Sequence, residues 1–386
     1  MAKDIKNRIR AGQSPLLCGA MKRLIALITF GLLLMAGCGG DPAPEPGPAG
    51  MQRYTLDHGG LTREYFVFLP STYDEVSDLP VAIFMHGYGG TATGTEAEVT
   101  QGLNQYAEEY GYVLVYPQGT WFMSSTNGAE PWEVTSWNHI SDGFDTGPDG
   151  PICTPDRNKV PCPPECGNCG QCGWTSCHDD VGFLRSLVAD VVDRWHVDAS
   201  RVHVSGFSNG AMMANRIGCE ASELFASVAF IGGRLEPGFE CKPTKRLPLL
   251  QINGGEDEVV PFDGRVSSAG WFYASTTSVA RHWNEGRACA TDEKPVTYSL
   301  VGRNSAQCTL ACGETGQPSI DCVWPEGDHR WPGTAGFRGS NGYCVTELQA
   351  RSMPDQTICK EPEQATDFWG SRLLFEFFNG HYGEKE

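Results

Sequence analysis

Val81–Met85 (VAIFM) and Val113–Tyr116 (VLVY) are short, continuously apolar runs. That pattern belongs to strands covered on both faces, as in a parallel sheet with helices above and below. Glu64–Leu69 alternates instead, with Tyr65, Val67 and Leu69 on one face, as a half-buried strand does. From Val181 to Trp195 the apolar positions are Val181, Leu184, Leu187, Val188, Val191, Val192 and Trp195. This spacing forms one helical stripe, with Asp179 or Asp180 as its cap. Val202–Val204, Ser227–Ile231 and Leu249–Ile252 read as further strands, and Asn209–Ile217, Ala269–Trp283 and Ala365–Phe378 as helices. Alternating βα units predict a mainly parallel sheet with right-handed crossovers and helices on both faces. An all-β sandwich would need hairpin turns where these long helical stripes stand.

Composition supports a large core. Of 386 residues, 40% are hydrophobic and 20% charged, too apolar for a disordered chain. The net charge of −18 repels phosphate backbones and anionic headgroups, which argues against nucleic-acid binding and electrostatic membrane adhesion. The 47 glycines and 25 prolines imply many turns. The 16 cysteines exceed what a reduced cytosolic enzyme carries.

The N-terminal region accounts for those cysteines. Met21-Lys22-Arg23 precedes an apolar stretch, Leu24–Ala36, too short to span a bilayer, which is the layout of an export signal. Translation is expected to begin at Met21. Leu34-Met35-Ala36-Gly37-Cys38 resembles a bacterial lipobox, and that resemblance implies cleavage before Cys38, lipidation of its thiol and a place in the bacterial cell envelope. Membrane association is expected through this anchor alone. The division is then residues 1–37 as signal, 38–50 as lipidated cysteine and Pro/Gly-rich spacer, and 51–386 as one catalytic domain. A spacer of that composition stays extended at about 3.1 Å per residue.

Three segments carry chemistry. Gly206-Phe207-Ser208-Asn209-Gly210 is a G-x-S-x-G pattern between a strand and a helix. A serine on such a tight turn presents its oxygen clear of the sheet. It becomes a nucleophile only when a base takes its proton and a carboxylate orients that base. An acidic loop, Gly254–Pro261, follows a buried strand, and His329 lies in a loop bounded by Gly327, Pro332 and Gly333. The order Ser208, Asp257, His329 is that of α/β-hydrolases, with Glu258 and Asp263 as alternative acids. Upstream, His86-Gly87-Tyr88-Gly89-Gly90 follows another buried strand. The backbone N–H groups of Asn209 and Tyr88 are the candidate oxyanion hole. His86 is read as a structural support of that loop.

Together these residues resemble the secreted polyhydroxybutyrate-depolymerase and feruloyl-esterase group, the first family of carbohydrate esterases. The resemblance rests on His86-Gly87-x-Gly89-Gly90, Tyr116-Pro117-Gln118-Gly119, Trp137-Asn138, Asp179–Phe183, the serine turn, Asp257-x-x-Val260-Pro261 and His329-x-Trp331-Pro332-Gly333. It implies an α/β-hydrolase fold, Ser208 as nucleophile, His329 as general base and Asp257 as orienting acid, with no cofactor. The expected activity is hydrolysis of short polyesters through an acyl-enzyme, with feruloyl or acetyl esters on plant polysaccharide as the alternative. A non-catalytic binding protein on the same scaffold is a more distant rival. Trp137 and Trp331 are candidates for a substrate-facing surface, and a monomer is expected. Two positions depart from the family pattern: Asn253 replaces a common histidine, and Asp328 replaces a glycine beside the base.

Cys153, Cys162, Cys166, Cys169, Cys172 and Cys177 fall in a cysteine-rich insertion at about 120–178. Outside the cytoplasm such spacings favour disulfides over a metal site, and no metal is expected. Cys219–Cys241 is the pair expected to clamp the helix after Ser208 to the next loop.

Overall fold

The structure is a computed structural model describing residues 45–46, 51–74, 76–92, 102–124, 132–139, 178–234, 242–265, 267–268, 273–285, 293–299, 305–313, 317–333 and 369–380. The signal region, Cys38 and the cysteines from Cys153 to Cys177 lie outside these residues, as does Cys241.

The strands, in chain order, are β1 (Glu45–Pro46), β2 (Gln52–His58), β3 (Leu61–Phe68), β4 (Leu79–Met85), β5 (Val113–Pro117), β6 (Thr120–Ser124) and β7 (Trp132–Ser136), followed by β8 (Val197–Phe207), β9 (Ser227–Ile231), β10 (Leu249–Gly254), β11 (Lys294–Ser299), β12 (Ser305–Ala311) and β13 (Ser319–Trp324). The helices are α1 (Leu103–Tyr110), α2 (Asp180–Arg194), α3 (Asn209–Glu220), α4 (Thr276–Asn284) and α5 (Trp369–Phe378). All the described strands except β6 and β7 form one sheet, in the order β1-β2-β3-β5-β4-β8-β9-β10-β13-β12-β11. Its centre, from β5 to β13, is parallel, and both flanks are antiparallel. This is an α/β-hydrolase-like fold. Pro46 and Glu45 pair with Gln52 and Arg53, so part of the expected spacer adds an edge strand to the sheet.

Side-chain alternation along the central strands builds two cores. Val81, Ile83 and Met85 of β4, with Val113 and Val115 of β5, face Phe183, Leu184 and Leu187 of α2 and Ala211 and Ile217 of α3. Ala82 and Phe84, with Leu114 and Tyr116, face the opposite way, toward Leu103 and Ala107 of α1 and Leu374 and Phe375 of α5. The uninterrupted apolar runs follow from this, because each neighbouring residue enters a different core. Each fully buried aliphatic side chain contributes about 1.5–3 kcal/mol over leaving it exposed.

Asp179, not Asp180, caps α2, accepting from the Gly182 N–H at 2.9 Å. Asp180 turns into the core. Its oxygens accept from Arg63 at 2.7 Å and from the Asn138 N–H at 2.7 Å. Helix α4 starts at Thr276, where the Ser275 side chain caps the Ser278 N–H, later than the apolar spacing indicates. Strand β3 covers most of the alternating Glu64–Leu69 stretch, whereas β2, β6, β7 and the strands β11 to β13 were not signalled by the chain's periodicity. A disulfide joins the facing partners Cys308 of β12 and Cys322 of β13.

Candidate active site

Ser208 sits between the end of β8 and the start of α3 with φ 53° and ψ −119°. A non-glycine residue in that region costs on the order of 1–3 kcal/mol and persists only where its surroundings enforce it. Here its N–H donates to Ile231 of β9 at 2.9 Å and its carbonyl accepts from Met212 at 3.0 Å. Two glycines permit the turn. A Cβ on Gly206 would overlap the backbone of Gly210, and one on Gly210 would overlap the carbonyls of Met85 and His86.

The loops after β10 and β13 bring the other two side chains to this serine. These parallel neighbours end at the same edge of the sheet, and their loops are laced together: the Gly255 N–H donates to Trp324 and the Glu256 N–H to Gly327, both at 2.7 Å. His329 Nε2 lies 3.0 Å from Ser208 Oγ, and Nδ1 lies 2.7 Å from Asp257 Oδ2. The other Asp257 oxygen accepts from the N–H groups of Val259 (2.8 Å) and Val260 (2.7 Å), and the carboxylate is wholly buried. Because Asp257 accepts with both oxygens, Nδ1 carries the hydrogen and Nε2 is left to accept from the serine hydroxyl. The alternative acids are elsewhere: Glu258 and Asp263 both pair with Arg265 at the surface. Asp328, beside the base, pairs with Arg330.

Asn209 and Tyr88 lie on the two segments that flank Ser208. Asn209 opens α3, so its N–H belongs to the first turn, where the helix supplies no acceptor. Its buried side chain accepts from the Trp137 N–H at 2.8 Å and donates to His139 Nδ1 at 2.9 Å. Tyr88 follows Gly87, whose Cβ position would stand 3.4 Å from that of Ser208, and its side chain is exposed. Gly89 and Gly90 spend their N–H groups on Thr135 and Gly87. His86 supports the same loop: Nδ1 bonds the Gly87 carbonyl at 2.7 Å and Nε2 accepts from the Gly119 N–H at 2.9 Å. Burial pushes its pKa down to about 4, so it stays neutral near neutral pH.

The expectation of a substrate-facing Trp137 and Trp331 is corrected. Trp137 has no exposed surface, and its indole N–H donates to the His86 carbonyl at 3.0 Å. Trp331 is buried against Phe84 and Phe207, with its N–H on Ser371 of α5 at 3.0 Å. Both indoles brace loops from beneath. Cys219, on α3, is disulfide-bonded.

Arg234 was missed from the sequence. It follows Gly232-Gly233 at the end of β9, fully buried, with its guanidinium on the carbonyls of Val260 (2.9 Å) and Pro261 (2.5 Å). A charge directly after a buried strand was the available signal. His139 and Asn253 were likewise read without a role, and Asn253 accepts from Arg234 at 2.9 Å. Among the described residues no group of three His, Cys, Asp or Glu side chains is gathered as a metal site requires.

The profile of the Phospholipase/Carboxylesterase family matches residues 179–297, a stretch that includes Ser208 and Asp257. A protein of Nocardia uniformis subsp. tsuyamanensis named "Putative esterase NocK" is 28% identical over 273 residues, covering 66% of both chains. Feruloyl esterase B of Piromyces equi is 26% identical over 36% of this chain and 23% of its own length. "Probable acetylxylan esterase A" of Aspergillus fumigatus is 24% identical over 55% of this chain and 46% of its own. The chain thus spans under two thirds of these relatives. These three relatives, and the matched family itself, are named for ester hydrolysis.

Proposed function

We propose that the protein is a serine carboxylic-ester hydrolase that works through an acyl-enzyme. The observation that carries this reading is the continuous line from the Ser208 hydroxyl through His329 to the buried Asp257 carboxylate, set on a strained serine. In the proposed cycle His329 Nε2 takes the Ser208 proton as Oγ attacks the ester carbonyl. Asp257 holds the imidazole in the required tautomer and stabilises the imidazolium. The N–H groups of Asn209 and Tyr88 receive the oxyanion. His329 then gives its proton to the leaving alcohol, and a water deprotonated by the same nitrogen releases the acid.

For the substrate, the names of the relatives favour feruloyl or acetyl esters on plant polysaccharide. The motif set of the whole chain favours a second reading, a short hydroxyalkanoate polyester. Either substrate is extracellular, in keeping with an export signal and a lipid anchor at Cys38. Among the described residues no helix is long and apolar enough to cross a membrane.

The test compares kcat/KM on methyl ferulate, acetylated xylan and 3-hydroxybutyrate oligomers, with Ser208→Ala as the blank. Ser208→Ala is expected to lose several orders of magnitude in kcat with its fold intact. A variant that keeps most of the activity removes Ser208 from the mechanism. A preference of about tenfold, some 1.4 kcal/mol in transition-state binding, decides the substrate class.

A further inference from the structure

Arg234 is a buried cation whose hydrogen-bond acceptors are all neutral. Nη1 donates to the carbonyls of Pro261 (2.5 Å) and Ala274 (3.1 Å), and Nη2 to the carbonyl of Val260 and to Asn253 Oδ1, both at 2.9 Å. Among the described residues, Nε has no partner. Such an arrangement is expensive, since a buried charge is ordinarily paired with its opposite. The charged and titratable groups that act on it from a distance are Asp257, Asp321, Tyr273 and Asp263. Burial lowers its pKa to about 10, so it keeps its charge near neutral pH.

What the guanidinium holds gives that cost a purpose. Val260 is gripped from both sides: its N–H donates to Asp257 Oδ1, and its C=O accepts from Arg234. Asn253 stands one residue before the end of β10 and a few before Asp257, and Ala274 precedes the cap of α4. One planar fork therefore ties together the strand end before the acid, the turn that hydrogen-bonds the acid, and the lead into α4. A lysine ammonium is a single point and cannot span these acceptors. We propose that Arg234 is a positioning residue for the acid: its fork clamps the Val260-Pro261 turn and so sets the Asp257 carboxylate against His329 Nδ1. This rests on reading Asp257, His329 and Ser208 as the catalytic line. Arg234 touches no reacting atom and acts through Asp257.

The test uses the full chain, p-nitrophenyl butyrate as probe, and the variants Arg234→Gln and Arg234→Lys. Folding is checked by near-ultraviolet circular dichroism. A folded Arg234→Gln protein is expected to lose about tenfold or more in kcat while KM stays within about threefold, since a small misplacement of catalytic groups is felt in the transition state. Its low-field proton resonance from the His329–Asp257 hydrogen bond should weaken or vanish, which a merely structural arginine would not cause. Arg234→Lys should fall between it and the parent. A folded Arg234→Gln protein with parental kcat and an unchanged resonance overturns the proposal. Should Arg234→Gln not fold, Arg234→Lys decides: reduced kcat at constant KM supports the clamp, and parental kcat overturns it. Failure of the underlying reading looks different, because it appears as a parent without esterase activity or as an active Ser208→Ala.

Discussion

Replacing Asp180 by alanine tests how the loop beneath the serine is held. The carboxylate is fully buried and pairs with Arg63, itself buried, at 2.7 Å. Its other oxygen takes the Asn138 N–H at 2.7 Å. Without it, Arg63 keeps, among the described residues, only the Gln118 carbonyl at 3.1 Å and the face of Phe183, whose centroid is 3.9 Å away. Neither neutralises a buried charge. Breaking a buried pair from one side typically costs about 3–5 kcal/mol, against a total stability of about 5–15 kcal/mol. At about 2.1 cal/mol/K of unfolding entropy per residue, a folded part of roughly 340 residues shifts by about 1.4 °C per kcal/mol, so the melting temperature should fall by roughly 4–7 °C. Scanning calorimetry with the disulfides intact measures this. The double variant Arg63→Met with Asp180→Leu, which removes both charges, should recover most of the loss. An Asp180→Ala protein melting within about 2 °C of the parent would refute the uncompensated-charge argument, and so would a double variant no more stable than the single one.

Asp257→Asn is expected to lower kcat by about three to four orders of magnitude, because an amide donor facing Nδ1 favours the wrong tautomer. Asp263→Asn should leave esterase kinetics unchanged, as its carboxylate faces Arg265 at the surface. Asp321, mostly buried on β13, has its pKa pushed up to about 6 by desolvation, with Glu293 adding to the rise and Thr276 and Arg234 opposing it. The folded state therefore holds this proton more tightly than the unfolded chain. Its contribution to stability is greatest below about pH 4 and falls as pH rises through about 6, by about 3 kcal/mol in all. Asp321→Asn should accordingly gain stability relative to the parent near pH 7 and lose that advantage near pH 4, as read by paired melting curves.

The chain's own pattern determined the centre of the molecule. Strands β4, β5, β9 and β10 and helices α2 and α3 were legible because each is a local event: an apolar run with two buried faces, or a stripe on one side of a helix. The serine turn was legible for the same reason, since Gly206 and Gly210 lie within the motif itself. Ser208, Asp257 and His329 could be named separately because each sits in its own short, glycine- or proline-bounded segment. That they meet within hydrogen-bond distance is a property of the tertiary structure. It depends on β10 and β13 being parallel neighbours, which no window of sequence contains.

Only the tertiary structure decided the rest, and in each case a long-range partner made the difference. Strand β2 and the antiparallel flank β11–β13 depend on cross-strand pairing more than on their own periodicity, whereas β3 alternates visibly. Which of Asp179 and Asp180 caps α2 was open until Arg63, distant in sequence, claimed Asp180. Trp137 and Trp331 were candidates for a substrate-facing surface, yet His86 and Ser371 draw their indoles inward. Arg234 carried no periodic signal at all: a buried cation takes its role from the carbonyls that fold around it, and those come from residues 253–274. Local pattern determines which backbone states are cheap, whereas the burial of polar and charged groups is settled only when distant segments supply their partners.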